Sequence, residues 1–163
     1  MRYFIYILLL NFTQIIFAQI SLDSVMQRHT DGSVPSMAIE DFRNGKDNAI
    51  ILDTRSKDEF DVSHIAQSVF VGYTDFDMNA FKVTYPNQNI SIIVYCSIGV
   101  RSHFIGKKLI LAGYKNVKNL YGGIFEWKNK GFPIVNIRNA KTDTLHAYSK
   151  EWSIYSKNAI NIY

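Results

Sequence analysis

Short, fully apolar runs alternate along this chain with stretches whose apolar residues recur at helical spacing. Ala49-Ile50-Ile51-Leu52, Val69-Phe70-Val71, Ile90 to Tyr95 and Val117 to Tyr121 are β-branched or aromatic runs of strand length. Ile90 to Tyr95 is the strongest of them and runs straight into Cys96. Between them, residues 22–30 place Leu22, Val25 and Met26 on one helical side before Asp31-Gly32-Ser33 breaks the pattern. Ser36 is a candidate N-cap for a helix reaching Asn44, with Gly45 as its stop. Ser56-Lys57-Asp58-Glu59 has the capping-box pattern and opens a short helix to about Val62. Asp75 to Val83 reads as a helix closed by Tyr85-Pro86-Asn87. Ser102 to Ala112, with Phe104, Ile105, Leu109 and Ala112 at helical spacing and Gly113 as C-cap, reads as another, and Ile124 to Asn129 as a short last one.

Strands alternating with helices imply an α/β fold, a central and mostly parallel sheet with helices on both faces. At 163 residues, with 47% apolar and 20% charged residues, one domain with a core of its own is expected. Four segments are expected: 1–18 as a signal peptide, 19–33 as a helical extension, 34–136 as the domain, and 137–163 as a tail. The tail is polar but carries Leu145, Tyr148, Trp152, Ile154, Tyr155, Ile160 and Ile162, which favours packing on the domain. Residues 1–18 hold one charge, Arg2, then the apolar run Tyr3 to Leu10, and end on Ala18. That order fits a cleaved leader and an exported chain, with a bacterial periplasm as the expected location. Asn11, Thr13 and Gln14 interrupt the run, whereas an anchor needs about 18–20 apolar residues in a row. No stable membrane insertion is expected after cleavage.

The net charge of +4 is spread without a basic block, so nucleic acid is not an expected partner. The single cysteine is the more telling feature. An exported chain with one thiol cannot make an internal disulfide, so Cys96 is either inert, paired with another chain, or reactive.

Its setting favours reaction. In open α/β sheets ligands bind beyond the carboxyl ends of the strands, and Cys96 is placed there, between a buried strand and a helix N-terminus. Unpaired N–H groups and the positive dipole end of that helix favour a thiolate over a thiol. Gly99 can take a positive φ that turns successive N–H groups inward as an anion cradle, Arg101 adds a permanent charge, and Ser102 is the candidate cap.

Cys96-Ser97-Ile98-Gly99-Val100-Arg101-Ser102 resembles the active-site loop of the rhodanese-like family, Cys-x-x-Gly-x-Arg-Ser/Thr. Further resemblances are Asp53-Thr54-Arg55, Glu59-Phe60 and His64-Ile65 to the family's Asp-x-Arg, Glu-Phe/Tyr and Gly-His-Ile series, with Ser63 in place of the usual Gly. Leu109 to Tyr114 with Val117, then Gly122-Gly123 with Trp127, and Gly131 to Val135 complete the similarity, which covers about residues 34–135.

The resemblance implies a rhodanese-like fold and a two-step sulfurtransferase, similar to thiosulfate sulfurtransferases. Cys96 would take a sulfane sulfur from a small donor such as thiosulfate or a persulfide, and a thiol or cyanide acceptor would remove it. It implies Cys96 as nucleophile, the backbone N–H groups of Ser97, Ile98, Gly99, Val100, Arg101 and Ser102 as cradle, and Arg101 as donor-anion contact. No metal and no organic cofactor are implied. Asp53, His64 and Trp127 are expected to be structural. Arg55 is a candidate for the pocket or for a carboxylate pair, and His103 is expected at the surface. Three rivals stand beside this reading. A phosphatase or arsenate reductase resembles a Cys-x5-Arg loop, one residue longer than the Cys-x4-Arg found here. A non-catalytic sulfur-carrier or interaction module keeps the fold without the turnover. A thiol-redox role lacks a second cysteine.

Overall fold

A computed structural model of the protein describes residues 21–45 and 48–163, so the expected leader over 1–18 lies outside the described residues. Five parallel strands form the main sheet in the order β1-β5-β4-β2-β3. They are β1 (Ser36–Met37), β2 (Ile50–Asp53), β3 (Val69–Phe70), β4 (Ser91–Tyr95) and β5 (Asn116–Leu120). Parallel pairing requires crossovers. Here they run through α2 (Ile39–Asn44), α3 (Lys57–Val62), α4 (Met78–Thr84) and α5 (Val100–Leu111), preceded by α1 (Leu22–His29) and followed by α6 (Gly123–Asn129).

The central strand β4 shows why both faces are covered. Its side chains alternate, so Ile92 and Val94 enter one core with Leu52, Val117, Phe81 of α4, and Ile105 and Leu109 of α5. Ile93 and Tyr95 enter the other with Leu120, Val25 of α1, Ile39 of α2, and Ile124 and Phe125 of α6. All four β4 residues are at most 1% exposed, and burying each such side chain stabilises the fold by about 1.5–3 kcal/mol. A strand apolar on both sides therefore has to be central, and Cys96 leaves the sheet at its middle.

The expected strands and most helices form, with differences that have local causes. Ser36 caps no helix. It lies in β1, and the carbonyls of Pro35 and Met37 accept the N–H groups of Asn119 and Tyr121 (2.8 and 2.9 Å), so the open edge of β5 draws the segment into the sheet. The helix begins at Ile39 after Ala38, which makes no side-chain cap. Helix α4 begins at Met78 rather than Asp75, because Asp77 accepts from the N–H groups of Asn79 and Ala80. Phe104 sits at a helical spacing that suggested the core, yet it is 43% exposed and faces Tyr73.

The chain after α6 continues through β6 (Ile134–Val135), β7 (Lys141–Thr142), β8 (Thr144–His146), a 3-10 turn at Trp152–Tyr155, and β9 (Ile160–Ile162). Leu145 and Ala147 are fully buried against the α6 side of the sheet, with Trp152 and Tyr155 packed beside them. Ile154, Ile160 and Ile162 stay exposed.

Candidate active site

Cys96 follows the last residue of β4 and is 1% exposed. Three neighbours shape its loop. The N–H groups of Ile124 and Phe125, at the start of α6, donate to the carbonyls of Cys96 (2.9 Å) and Ser97 (3.1 Å). Helix α6 comes this close only because Gly122 and Gly123 have φ of 71° and 55° and carry no side chain. A Cβ on Gly123 would lie 2.2 Å from the Cys96 carbonyl oxygen. Thr54 donates from its N–H (2.9 Å) and hydroxyl (3.0 Å) to the Tyr95 carbonyl, which ties the end of β4 to the end of β2.

Gly99 is the turning point of the loop. Its φ of 112° makes it the N-cap of α5, its carbonyl accepts the His103 N–H (3.2 Å), and its own N–H donates to Cys96 Sγ (3.1 Å). The sulfur therefore faces the helix N-terminus, where unpaired N–H groups and the dipole favour negative charge. Because Gly99 caps the helix, α5 starts at Val100, and Ser102 is not the cap. Ser102 is buried one turn in, and its hydroxyl donates to Asn119 Oδ1 (2.7 Å), while Asn119 Nδ2 donates to the Gly99 carbonyl (2.8 Å). Asn119 of β5 thus clamps the loop from the neighbouring strand.

Arg101, in the first turn of α5, does not point its guanidinium free into solvent. It makes two parallel bonds to Glu59 of α3, Nη1 to Oε2 and Nη2 to Oε1, each 2.7 Å, and Nη2 also donates to the Ser97 hydroxyl (2.9 Å). The Ser97 hydroxyl in turn donates to Glu59 Oε1 (2.9 Å). Burial works against charge on both partners. On Glu59 the bonds and charge of Arg101, with Arg55 behind, outweigh it and lower the pKa to about 2. On Arg101 the bond to Glu59 and the nearby Cys96 outweigh it and hold the guanidinium above its usual range. The Arg101 guanidinium carbon Cζ lies over the Tyr148 ring, 5.2 Å from its centre.

Arg55 does not reach the cleft. It is fully buried and pairs with Asp53 (Nη2 to Oδ2, 2.6 Å), and it donates to the Ser63 carbonyl (2.6 Å). Burial disfavours its charge, but Asp53 holds it above the usual guanidinium range. Asp53 also accepts the Arg55 N–H (3.0 Å) and so folds the turn after β2. Ser63 has an extended φ of −168°, so the position often held by glycine needs none here. His64 stacks on Phe60, bonds its Nδ1 to the Phe60 carbonyl (3.0 Å), and exchanges backbone bonds with Val135. Trp127 donates to the Pro133 carbonyl (2.9 Å). His103 is not at the surface: it is 2% exposed and bonds Asp31 through Nε2 (2.8 Å).

A cleft of about 240 Å³ opens above Cys96, and Ser97, Ile98, Val100 and Arg101 line it. Its remaining wall comes from His29 of α1 and from Tyr148 and Trp152 of the C-terminal segment. Sequence reasoning missed Glu59, Asn119, Tyr148 and Trp152. For Glu59 the capping box hid a second role, since the same Oε2 that accepts from Ser56 (2.9 Å) holds Arg101. For Asn119 there was a signal: a lone amide between Val117 and Leu120 in a strand is a buried polar group that must find partners. Among the described residues no cluster could hold a metal ion.

Known proteins resemble this chain in sequence and in fold. Residues 38–130 match the rhodanese-like domain family. The chain is 35% identical over 106 residues to rhodanese-like domain-containing protein 17 of Arabidopsis thaliana, covering 58% of this chain and 68% of that protein. It is 28% identical over 83 residues to a thiosulfate sulfurtransferase (GlpE) of Coxiella burnetii, covering 51% of this chain and 75% of that one. Among solved structures, the rhodanese-like domain of an Anabaena protein superposes with a TM-score of 0.56 at 22% identity, over 63% of this chain and 80% of that one. A thiosulfate sulfurtransferase of Pseudomonas aeruginosa superposes with a TM-score of 0.57 at 25% identity, over 80% of this chain but 24% of its own length. Family match, parallel sheet and Cys-x4-Arg loop agree, and the chain belongs to the rhodanese-like family.

Proposed function

We propose that the protein is a sulfurtransferase that carries sulfur as a persulfide on Cys96. The observation that carries this reading is the placement of Sγ, 3.1 Å from the Gly99 N–H at the N-terminus of α5. A sulfur atom added to Sγ would enter the same field of backbone N–H groups, which stabilises its negative charge without a cofactor. In the first step Cys96 attacks the outer sulfur of a donor, and the donor's S–S bond breaks with its electron pair leaving on the departing group. In the second step a nucleophilic acceptor, a thiol or cyanide, takes the outer sulfur and returns the Cys96 thiolate. Thiosulfate is the donor suggested by the names of the similar sulfurtransferases.

Arg101 has a different part from the donor-anion contact expected of it. Glu59 and the Ser97 hydroxyl occupy its fork, so it braces the loop and lends its field to Cys96 through space. Purified protein incubated with thiosulfate or a polysulfide should gain one sulfur atom by intact mass, and the Cys96→Ser variant should gain none. No gain with any sulfane donor would make the protein a non-catalytic module. The four-residue spacing from Cys96 to Arg101 supports sulfur over phosphate chemistry. On the pattern of residues 1–18, the chain is an exported one, and the mature protein would begin at Gln19, which N-terminal sequencing of periplasmic material tests.

A further inference from the structure

The walls of the cleft are the part of the site that the sulfur chemistry does not require. Tyr148 and Trp152 belong to the C-terminal segment, beyond the residues 38–130 that match the family. Their placement is well supported from below. Leu145 and Ala147 are fully buried, the Ala147 N–H donates to the Ile162 carbonyl (2.9 Å), and Trp152 and Tyr155 pack on the same core. Between these anchors Tyr148 takes a φ of 66°, a conformation disfavoured for a residue with a Cβ. The turn is held by Tyr148 N–H donating to His146 Nδ1 (3.1 Å) and Ser149 N–H to the Ala147 carbonyl (2.8 Å). The outcome is an aromatic ring set beside the reactive loop and still 57% exposed.

The character of the space follows. Ile98, Val100, Tyr148 and Trp152 give it a mainly apolar lining, with the His29 side chain of α1 as the polar part of the outer wall. At about 240 Å³ it lies just below the range of about 300–1,000 Å³ for small-molecule sites, and is larger than a compact inorganic anion needs. Its one cationic group in the loop, Arg101, is already neutralised by Glu59 and faced by Tyr148. A free dianion entering here would lose water to apolar walls and meet no unpaired cation in that loop.

We propose that this cleft selects an organic persulfide with an apolar body, R–S–SH, over inorganic thiosulfate, and that Tyr148 and Trp152 are its specificity-determining residues. This rests on the sulfurtransferase reading and names its donor. The R group lies against the two rings, covering the exposed face of Tyr148, while the sulfane sulfur points down to Cys96. The Cys96 thiolate forms a bond to that sulfur, the R–S–S bond breaks, and the electron pair leaves as R–S⁻. The transferred sulfur keeps its proton, and nothing is oxidised or reduced from outside.

The test compares the rates at which benzyl persulfide, generated in place, and thiosulfate load Cys96 of the full chain, read by intact mass. Benzyl persulfide is expected to load at least about tenfold faster, the factor that about 1.4 kcal/mol of apolar contact supplies. Tyr148→Asn removes the ring and tolerates the positive φ, so the fold is kept. It should lower the benzyl-to-thiosulfate rate ratio about tenfold, and Trp152→Ala should lower it further. Faster loading by thiosulfate in the wild type, or an unchanged ratio in Tyr148→Asn, overturns the proposal while leaving the sulfurtransferase reading intact. Loading by neither donor overturns this proposal, and a failure of polysulfide to load Cys96 as well overturns the sulfurtransferase reading with it.

Discussion

Arg101 and Glu59, 42 positions apart, face each other through two parallel hydrogen bonds of 2.7 Å. Glu59 side-chain atoms are 1% exposed and those of Arg101 21%. One pair therefore joins helix α3 to the first turn of α5, and the Ser97 hydroxyl closes the triangle within the reactive loop. A carboxylate here serves the site by fixing its arginine, and it does so while capping its own helix through Ser56.

Replacing Glu59 by Gln leaves Arg101 half-buried with no counter-charge. Breaking one side of a buried pair costs about 3–5 kcal/mol, and the remaining exposure of Arg101 lets water recover part of it, so a loss of about 2–3 kcal/mol is expected. Urea unfolding at neutral pH measures it. An unchanged midpoint would mean that the pair is a solvated surface contact.

The same pair makes stability depend on pH with a definite sign. Glu59 has its folded pKa lowered from 4.5 to about 2, so its contribution is complete above pH 4.5 and is lost as the pH falls toward 2. Each tenfold change in proton affinity is worth about 1.4 kcal/mol, which puts the effect at roughly 3 kcal/mol. The stability difference between wild type and Glu59→Gln should shrink across that window. A difference that stays constant from neutral pH down to pH 2 would assign the acid loss to other carboxylates.

Gly123 is expected to tolerate no side chain. A Cβ there would stand 2.2 Å from the Cys96 carbonyl oxygen and 2.7 Å from that of Ser97, both backbone atoms that move only with the loop. Its φ of 55° adds strain for any residue with a Cβ. Gly123→Ala should cost about 2–4 kcal/mol and slow sulfur loading by distorting the loop around Cys96. Thermal melting and loading rate read the two effects, and normal values for both would show that α6 can retreat freely.

Cys96→Ser should keep the fold and lose transfer by at least about 1,000-fold, since a serine hydroxyl is a poor nucleophile without a base. Far-ultraviolet circular dichroism and the loading assay check the two halves. Residual transfer near the wild-type rate would mean that sulfur travels by another group.

Much of the fold was legible along the chain because its cause is local. A strand apolar on both sides, Ile92 to Tyr95, must lie inside a sheet, and Cys96 at its carboxyl end, three residues before Gly99, must meet the helix that follows. The capping box of Ser56 and Glu59 is written in a three-residue spacing and forms as written. Boundaries slipped where a tertiary partner intervened: Ser36 was drawn into β1 by the edge of β5, and Gly99 took the capping role from Ser102, whose hydroxyl turned to Asn119.

The chain by itself determined the α/β class, the place of Cys96 and the length of its loop, because periodicity and turn chemistry act over a few residues. Only the tertiary structure decided what each charge is for. Arg55 went to Asp53 in the interior, Arg101 to Glu59 at the rim, and Tyr148 and Trp152 came from the tail to wall the cleft. Ion pairs and pocket walls depend on strand order and on how far a side chain reaches across it, and neither leaves a periodic trace in the order of residues.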